Sequence, residues 1–210
     1  MRPSELIQGP ERERIEAAVA EAERGTAGEI VVKVVRSAGP HAASPWRLSI
    51  LLAALLPLGA ALLEPDLRLV EILGIELIGT LLAHALCWFD PIRRAFASDQ
   101  ELRESAEQAA LDALMQHVIR RTENRTGILI FVSLLEHRVV VLGDEAVDQA
   151  LDPNESWGDV VDLVLDGIRR GEASEGIIRA IARCGEILSH PLPIQADDVN
   201  EIERGLILSD

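Results

Sequence analysis

Between Leu48 and Leu63 the chain runs for 16 residues without a formal charge (LSILLAALLPLGAALL), and after the break EPDLR a second apolar run extends from Leu69 to Phe89. Two such stretches back to back predict a helical hairpin that enters and leaves a bilayer. The polar segments on either side of it then belong on one side of the membrane. Sixteen helical residues cover about 24 Å of a hydrocarbon core roughly 30 Å thick, so the first span recruits Ala42 to Trp46 or thins the lipid around it. The second run is long enough but carries Glu71, Glu76 and His84. Glu71 is close enough to Arg68 and the loop to reach the interface. Glu76 lies deeper, and is expected to be protonated or partnered because an isolated charge there costs several kcal/mol.

Flanking charge gives an orientation. Lys33, Arg36 and Arg47 precede the hairpin, Arg93 and Arg94 follow it, and only Arg68 lies between the spans. That bias predicts a multi-pass protein of the cell inner membrane with both polar parts in the cytoplasm. The competing reading is a buried helical hairpin in a wholly soluble protein, which Pro57 and the two glutamates permit. Residues 1 to 28 are polar and charged, with no apolar core of a secretory signal.

Outside the hairpin some 160 residues remain, enough for one modest domain. A net charge of -15, from 35 acids against 20 bases, argues against nucleic acid as a partner and against a broad hold on anionic lipid. Cys87 and Cys184 fall in apolar patterns and read as reduced packing residues rather than a disulfide or a zinc site.

The domain is split, and its halves echo each other. Ile15, Ala18, Val19 and Ala22 recur at helical spacing between Glu11 and Arg24, after which Thr26-Ala27-Gly28 turns into the strand EIVVKVV, residues 29 to 35. Past the hairpin, Leu111, Leu114, Met115, Val118 and Thr122 line a helix that begins near Ser98, and Arg125-Thr126-Gly127 leads into the strand ILIFVSL, residues 128 to 134. Such unbroken apolar runs predict central strands covered on both faces. The tight link Glu136-His137-Arg138 before VVVL, residues 139 to 142, predicts an antiparallel hairpin of strands two and three. Asp152-Pro153-Asn154-Glu155 reads as a helix start, with Trp157, Val161, Val164, Leu165 and Ile168 as the apolar face up to Gly171. A last helix runs from Ala173 to about Ser189 with Ile177, Ile181, Cys184 and Leu188 on one side. Pro191 and Pro193 stop it, and the following DDVNEIERG reads as loosely packed.

If strands one and two are parallel, their C-terminal edge holds Ser37 and Glu136, and the opposite edge gathers Glu29, Gly127 and the Gly143-Asp144-Glu145 turn. Glu29, Asp144, Glu145 and Asp148 offer hard oxygen ligands for calcium or magnesium, with a solvated acidic surface as the alternative reading. Asp159, Asp162 and Asp166 share one helix stripe and read as a solvent side. The five histidines, His41, His84, His117, His137 and His190, form no known catalytic or zinc motif. Gly25-x-x-Gly28 precedes a strand rather than joining a strand to a helix, so it lacks the context of a phosphate loop. Trp157, with apolar neighbours at helical spacing, reads as a core anchor rather than a binding aromatic.

Several segments in fixed order carry a family resemblance: AEAERGTAGEIVV from Ala20 to Val32, RTGILIFVSLLEHRVVVLGD from Arg125 to Asp144, Trp157, GIRRGEASEGIIRAIARCGEILSHPLP from Gly167 to Pro193, and DDVNEI. Together they resemble the short, membrane-hairpin branch of the TPM-domain family. The resemblance implies an α/β fold, an α/β/α sandwich around a small mixed sheet interrupted by a two-helix transmembrane hairpin. On that reading residues 1–45 and 90–193 are the two parts of the domain, 46–89 the hairpin within the lipid bilayer, and 194–210 an acidic tail. It further implies either an accessory or protein-interaction module, bound to another membrane protein or to itself, or a divalent-metal-dependent phosphomonoesterase of acid-phosphatase type. The metal of the second would rest on Asp144, with Glu29 and Asp148 as companions. Where many relatives have a second glycine after the aspartate, this chain has Asp144-Glu145-Ala146.

Overall fold

The valine- and isoleucine-rich runs become the strands of one mixed sheet in the computed structural model, which describes residues 2–119, 125–151, 156–194 and 205–210. A short α1 (Pro3–Leu6) and α2 (Gly9–Glu23) lead into β1 (Glu29–Val35). After the insertion come α6 (Asp99–Leu114), β2 (Gly127–Ser133), β3 (Arg138–Gly143) and α7 (Glu145–Ala150). The described chain continues through α8 (Gly158–Arg170), α9 (Ala173–Ser189) and β4 (Leu206–Ser209). The strand order is β3-β2-β1-β4. β1 is parallel to β2, with Glu29 opposite Gly127 and Val35 opposite Ser133, while β3 turns back antiparallel on β2.

β1 and β2 are covered on both faces, as their apolar runs require. Ile30, Val32, Val34, Ile128, Ile130 and Val132 face a core shared with α2, α8 and α9. Val31, Val35, Leu129 and Phe131 face Ala110, Ala113 and Leu114 of α6, and Val118 of the single π-turn, Met115–Ile119, that continues it. Leu111 and Met115, expected on the buried stripe, are instead exposed. Small side chains let this helix sit close to the sheet, so alanine rather than leucine marks its inner face. In α8 the buried positions are Val160, Val164 and Gly167, with Trp157, Val161 and Ile168 partly covered. The expected face of α9 is fully buried.

α8 and α9 pack through glycine. A methyl group on Gly167 would fall 2.5 Å from the Cα of Gly176, so neither position has room for a side chain. Between the helices Gly171 takes φ +76°, the left-handed cap that glycine adopts at no steric cost.

The last strand was not legible as one. Leu206–Ser209 pairs parallel with β1, with Leu206 opposite Val32 and Ser209 opposite Val35, and Leu206 is buried. The expected helix start at Asp152–Glu155, Thr122, and nearly all of DDVNEIERG lie outside the described residues.

The chain divides into two compact units, residues 1–38 with 105–210, and residues 39–104. The second is a helical hairpin of α3 (Ala43–Leu63) and α4 (Leu69–Leu86), followed by α5 (Asp90–Ala95). Both long helices have the length and apolar composition to cross a membrane, and only 11% of the apolar window of each is buried. α3 begins early enough to include Trp46, and Pro57 lies inside it. The pair packs where Gly79 meets Leu52 and Leu56. His84 reaches the Thr80 carbonyl at 3.0 Å and meets the Trp46 ring edge to face at 5.0 Å between centroids. At the root of the hairpin the Arg47 guanidinium donates to Glu101 at 2.7 Å and to the Phe96 carbonyl at 2.8 Å, with the buried His41 ring 3.7 Å from the same Glu101 carboxylate.

Candidate functional site

The parallel pairing of β1 and β2 sets two groups of polar residues at opposite ends of the strands. At the N-terminal end, Glu29 opens β1 opposite Gly127, and the Asp144 amide donates to the Gly127 carbonyl at 2.8 Å. Glu29 and Asp144 are both buried. Asp144 is the N-cap of α7, its Oδ1 accepting from the Glu145 amide at 2.6 Å, which satisfies one of the free donors of the first turn. Its Oδ2 is buried without a hydrogen-bond partner among the described residues. Asp148 lies one turn further on, and burial, with the Asp144 charge adding to it, raises its carboxyl above the ordinary aspartate value. Gly143 permits this closeness, since a methyl group there would come within 2.7 Å of Asp148 Oδ1 and of Val147 Cγ1.

The acids expected to gather at this edge therefore do so only in part. Glu145 pairs with the Arg125 guanidinium. Among the described residues no group of three or more His, Cys, Asp or Glu side chains stands close enough to hold a metal ion. The donor set also fits poorly. Asp144 has one oxygen committed to the helix cap, which leaves a single carboxylate oxygen of that residue for a cation. Asp144, Glu29 and Asp148 thus share an edge without forming a ligand shell, and the phosphomonoesterase alternative gains no metal centre from them.

At the C-terminal end Glu136 is almost fully buried. It accepts from Ser133 Oγ, from Ser37 Oγ at 3.1 Å and from the Ala38 amide at 2.9 Å. These bonds tie the chain just beyond β1 to the turn between β2 and β3. Sequence reading noted Ser37 and Glu136 at the same edge but not this bond set. His137 beside it adopts a left-handed φ of 52° in the turn and is exposed, as expected.

A third polar group lies on the sheet face. Lys33, between Val31 and Val35, has its Nζ 3.2 Å from Nε2 of His117 on the π-turn. Burial lowers the Lys33 ammonium below the ordinary lysine value, and the Asp112 carboxylate of α6 opposes that shift. Sequence reading used Lys33 only as a flanking charge. The signal that could have found it is compositional: the chain has a single lysine among nineteen arginines.

The acidic stripe of α8 is a solvent side. Asp159 lies 3.6 Å from Arg183, and Asp166 lies 3.2 Å from Arg169. Cys87 and Cys184 are free and buried, and the Cys184 thiol is pushed up to about 12 by burial, so it is an inert packing group.

No family model and no curated protein matches the chain. Among solved structures it is similar to the NMR structure of the BA42 protein from the psychrophilic bacterium Bizionia argentinensis. The TM-score is 0.59 at 15% sequence identity, over 97% of this chain and 95% of that one. At that identity the likeness is one of fold.

Proposed function

We infer that the chain is a membrane-anchored accessory or protein-interaction module of the kind its TPM-domain resemblance implies, with an α/β unit held at the cytoplasmic face by α3 and α4. The observation that carries this reading is the surface of the hairpin. Leu51, Leu55, Leu58, Leu62 and Leu63 of α3 are exposed, as are Leu69, Val70, Leu73, Leu77, Ile78 and Leu81 of α4. A hairpin serving as the core of a soluble protein would bury such side chains, each worth roughly 1.5–3 kcal/mol when removed from water. Lipid removes that cost. The arginines at both roots of the hairpin, against Arg68 alone in its loop, favour the cytoplasmic orientation. Positioning a partner beside the membrane asks for a rigid sheet and a fixed anchor rather than a convergent set of catalytic groups. The partner is another membrane protein or a second copy of the chain.

The test is membrane fractionation with alkaline washing, followed by labelling of Asp66→Cys in intact spheroplasts with a maleimide that cannot cross the membrane. The expected result is retention in the washed membrane and labelling from outside, with the α/β unit resistant to external protease until lysis. In-cell crosslinking should then trap a membrane protein. Recovery of the chain in the soluble fraction would overturn the reading.

A further inference from the structure

Arginine supplies the positive charge of this chain at nineteen positions and lysine at one. The chemical difference between the two is that an amine can lose its proton at accessible pH and a guanidinium cannot. That one lysine is not on the periphery. Lys33 sits mid-way along β1, opposite Phe131 on β2 and Ile207 on β4, so its aliphatic stem is flanked by apolar side chains on both neighbouring strands. Arginine at this point would bring a permanent charge under α6.

The surroundings of the amine are built by an irregularity. Asp112 and His117 are five residues apart, a spacing that on a regular α-helix turns them about 140° away from each other. The π-turn Met115–Ile119 takes up one extra residue and brings His117 within hydrogen-bond distance of Lys33, while the Asp112 carboxylate acts on the same amine through its charge. At 3.2 Å from His117, the amine and the imidazole cannot both be charged without strong repulsion. The half-buried Lys33 still has a route to solvent.

We propose that Lys33, with His117 as its proton acceptor, is a nucleophilic amine site that takes a small aldehyde or ketone as an imine. The Nζ lone pair attacks the carbonyl carbon to give a carbinolamine. His117 accepts the proton shed by nitrogen and returns it to the departing hydroxyl, which leaves as water, and the C=N bond forms. The Asp112 charge felt by the amine and a net charge of -15 disfavour carbonyl compounds that carry a carboxylate or phosphate, so the ligand class is uncharged or cationic.

A chain with one lysine makes the test clean, because the only competing amine is the N-terminal one. The detergent-solubilised full chain is treated with benzaldehyde and sodium cyanoborohydride between pH 6 and 10, and the benzyl adduct is located and timed by peptide mass spectrometry. Labelling of Lys33 at pH 7 should exceed that of a free lysine derivative by at least about tenfold, below the lower end of what a positioned proton acceptor contributes. His117→Ala and the more conservative His117→Gln should each remove most of that advantage while circular dichroism stays unchanged. Benzaldehyde should also label faster than its 4-carboxylate. Labelling of Lys33 no faster than free lysine, or equally fast in both His117 variants, would overturn the site, whatever becomes of the membrane reading. Using two variants keeps the test decisive if one fails to fold.

Discussion

Asp148 is a carboxylate whose surroundings in the folded chain raise its hold on a proton above the ordinary aspartate value. Burial and then the neighbouring Asp144 charge hold its proton more tightly in the folded chain than in the unfolded one. The folded state therefore binds more protons across the window that begins at the ordinary aspartate value, and stability falls as pH rises through it. Above that window the cost is fully present. Asp148→Asn should raise the unfolding temperature at pH 7, and the gain should vanish below about pH 3, where both states are protonated. Thermal melts at the two pH values check this, and an equal gain at both would show that the charge is not the cause. The residue scale is also where reading from sequence reached least far. Ser37, Glu136, Glu29 and Asp144 could be assigned to sheet ends, because strand direction alone decides that. The commitments of each oxygen could not. Whether Asp144 caps a helix or faces a cation depends on the α7 turn, and the Ser133, Ser37 and Ala38 donors around Glu136 come from segments that meet only once the sheet has formed.

Among the elements, α8 and α9 are joined by an absence of side chains. Gly167→Ala sets a methyl 2.5 Å from the Cα of Gly176, where the obstruction is backbone and cannot rotate aside. It should cost at least ~2 kcal/mol, measured by denaturant unfolding of the detergent-solubilised protein, through forced separation of the two helices. Gly59→Ala in α3, where nothing lies within 4 Å, is the matched control and should be close to neutral or slightly stabilising. The strands were legible because β-branched runs bounded by Thr-Gly turns have few other outcomes. α9 was legible because its isoleucines keep helical period. α6 was misread because its inner face is built of Ala106, Ala110 and Ala113, which a hydrophobic stripe search passes over in favour of the exposed Leu111 and Met115. β4 was missed because four residues, LILS, beyond an acidic stretch are too short to declare a strand without knowing that β1 has an open side.

For the molecule as a whole, the sheet depends on its most distant partner. β4 covers the side of β1 that β2 leaves open, and Leu206 lies in the larger core beside Ile15, Val19 and Val32. The Asp210 carboxylate accepts from the Ser4 hydroxyl at 2.7 Å and from its amide at 3.1 Å, which fastens the two ends of the described chain together. Leu206→Ala should therefore destabilise the α/β unit by about 2–5 kcal/mol, the range for a fully buried leucine. Hydrogen exchange would show the loss concentrated in β1 rather than confined to β4, and a loss confined to β4 would mean that the strand is only an appendage. The central position of β1 also orders the events of synthesis. Its two neighbours, β2 and β4, both follow the helical hairpin in the chain, so β1 is synthesised with both edges bare. Only residues made later cover those edges, so the sheet cannot begin to close until β2 has been made, and until then β1 waits as an open strand with unpaired backbone on both sides.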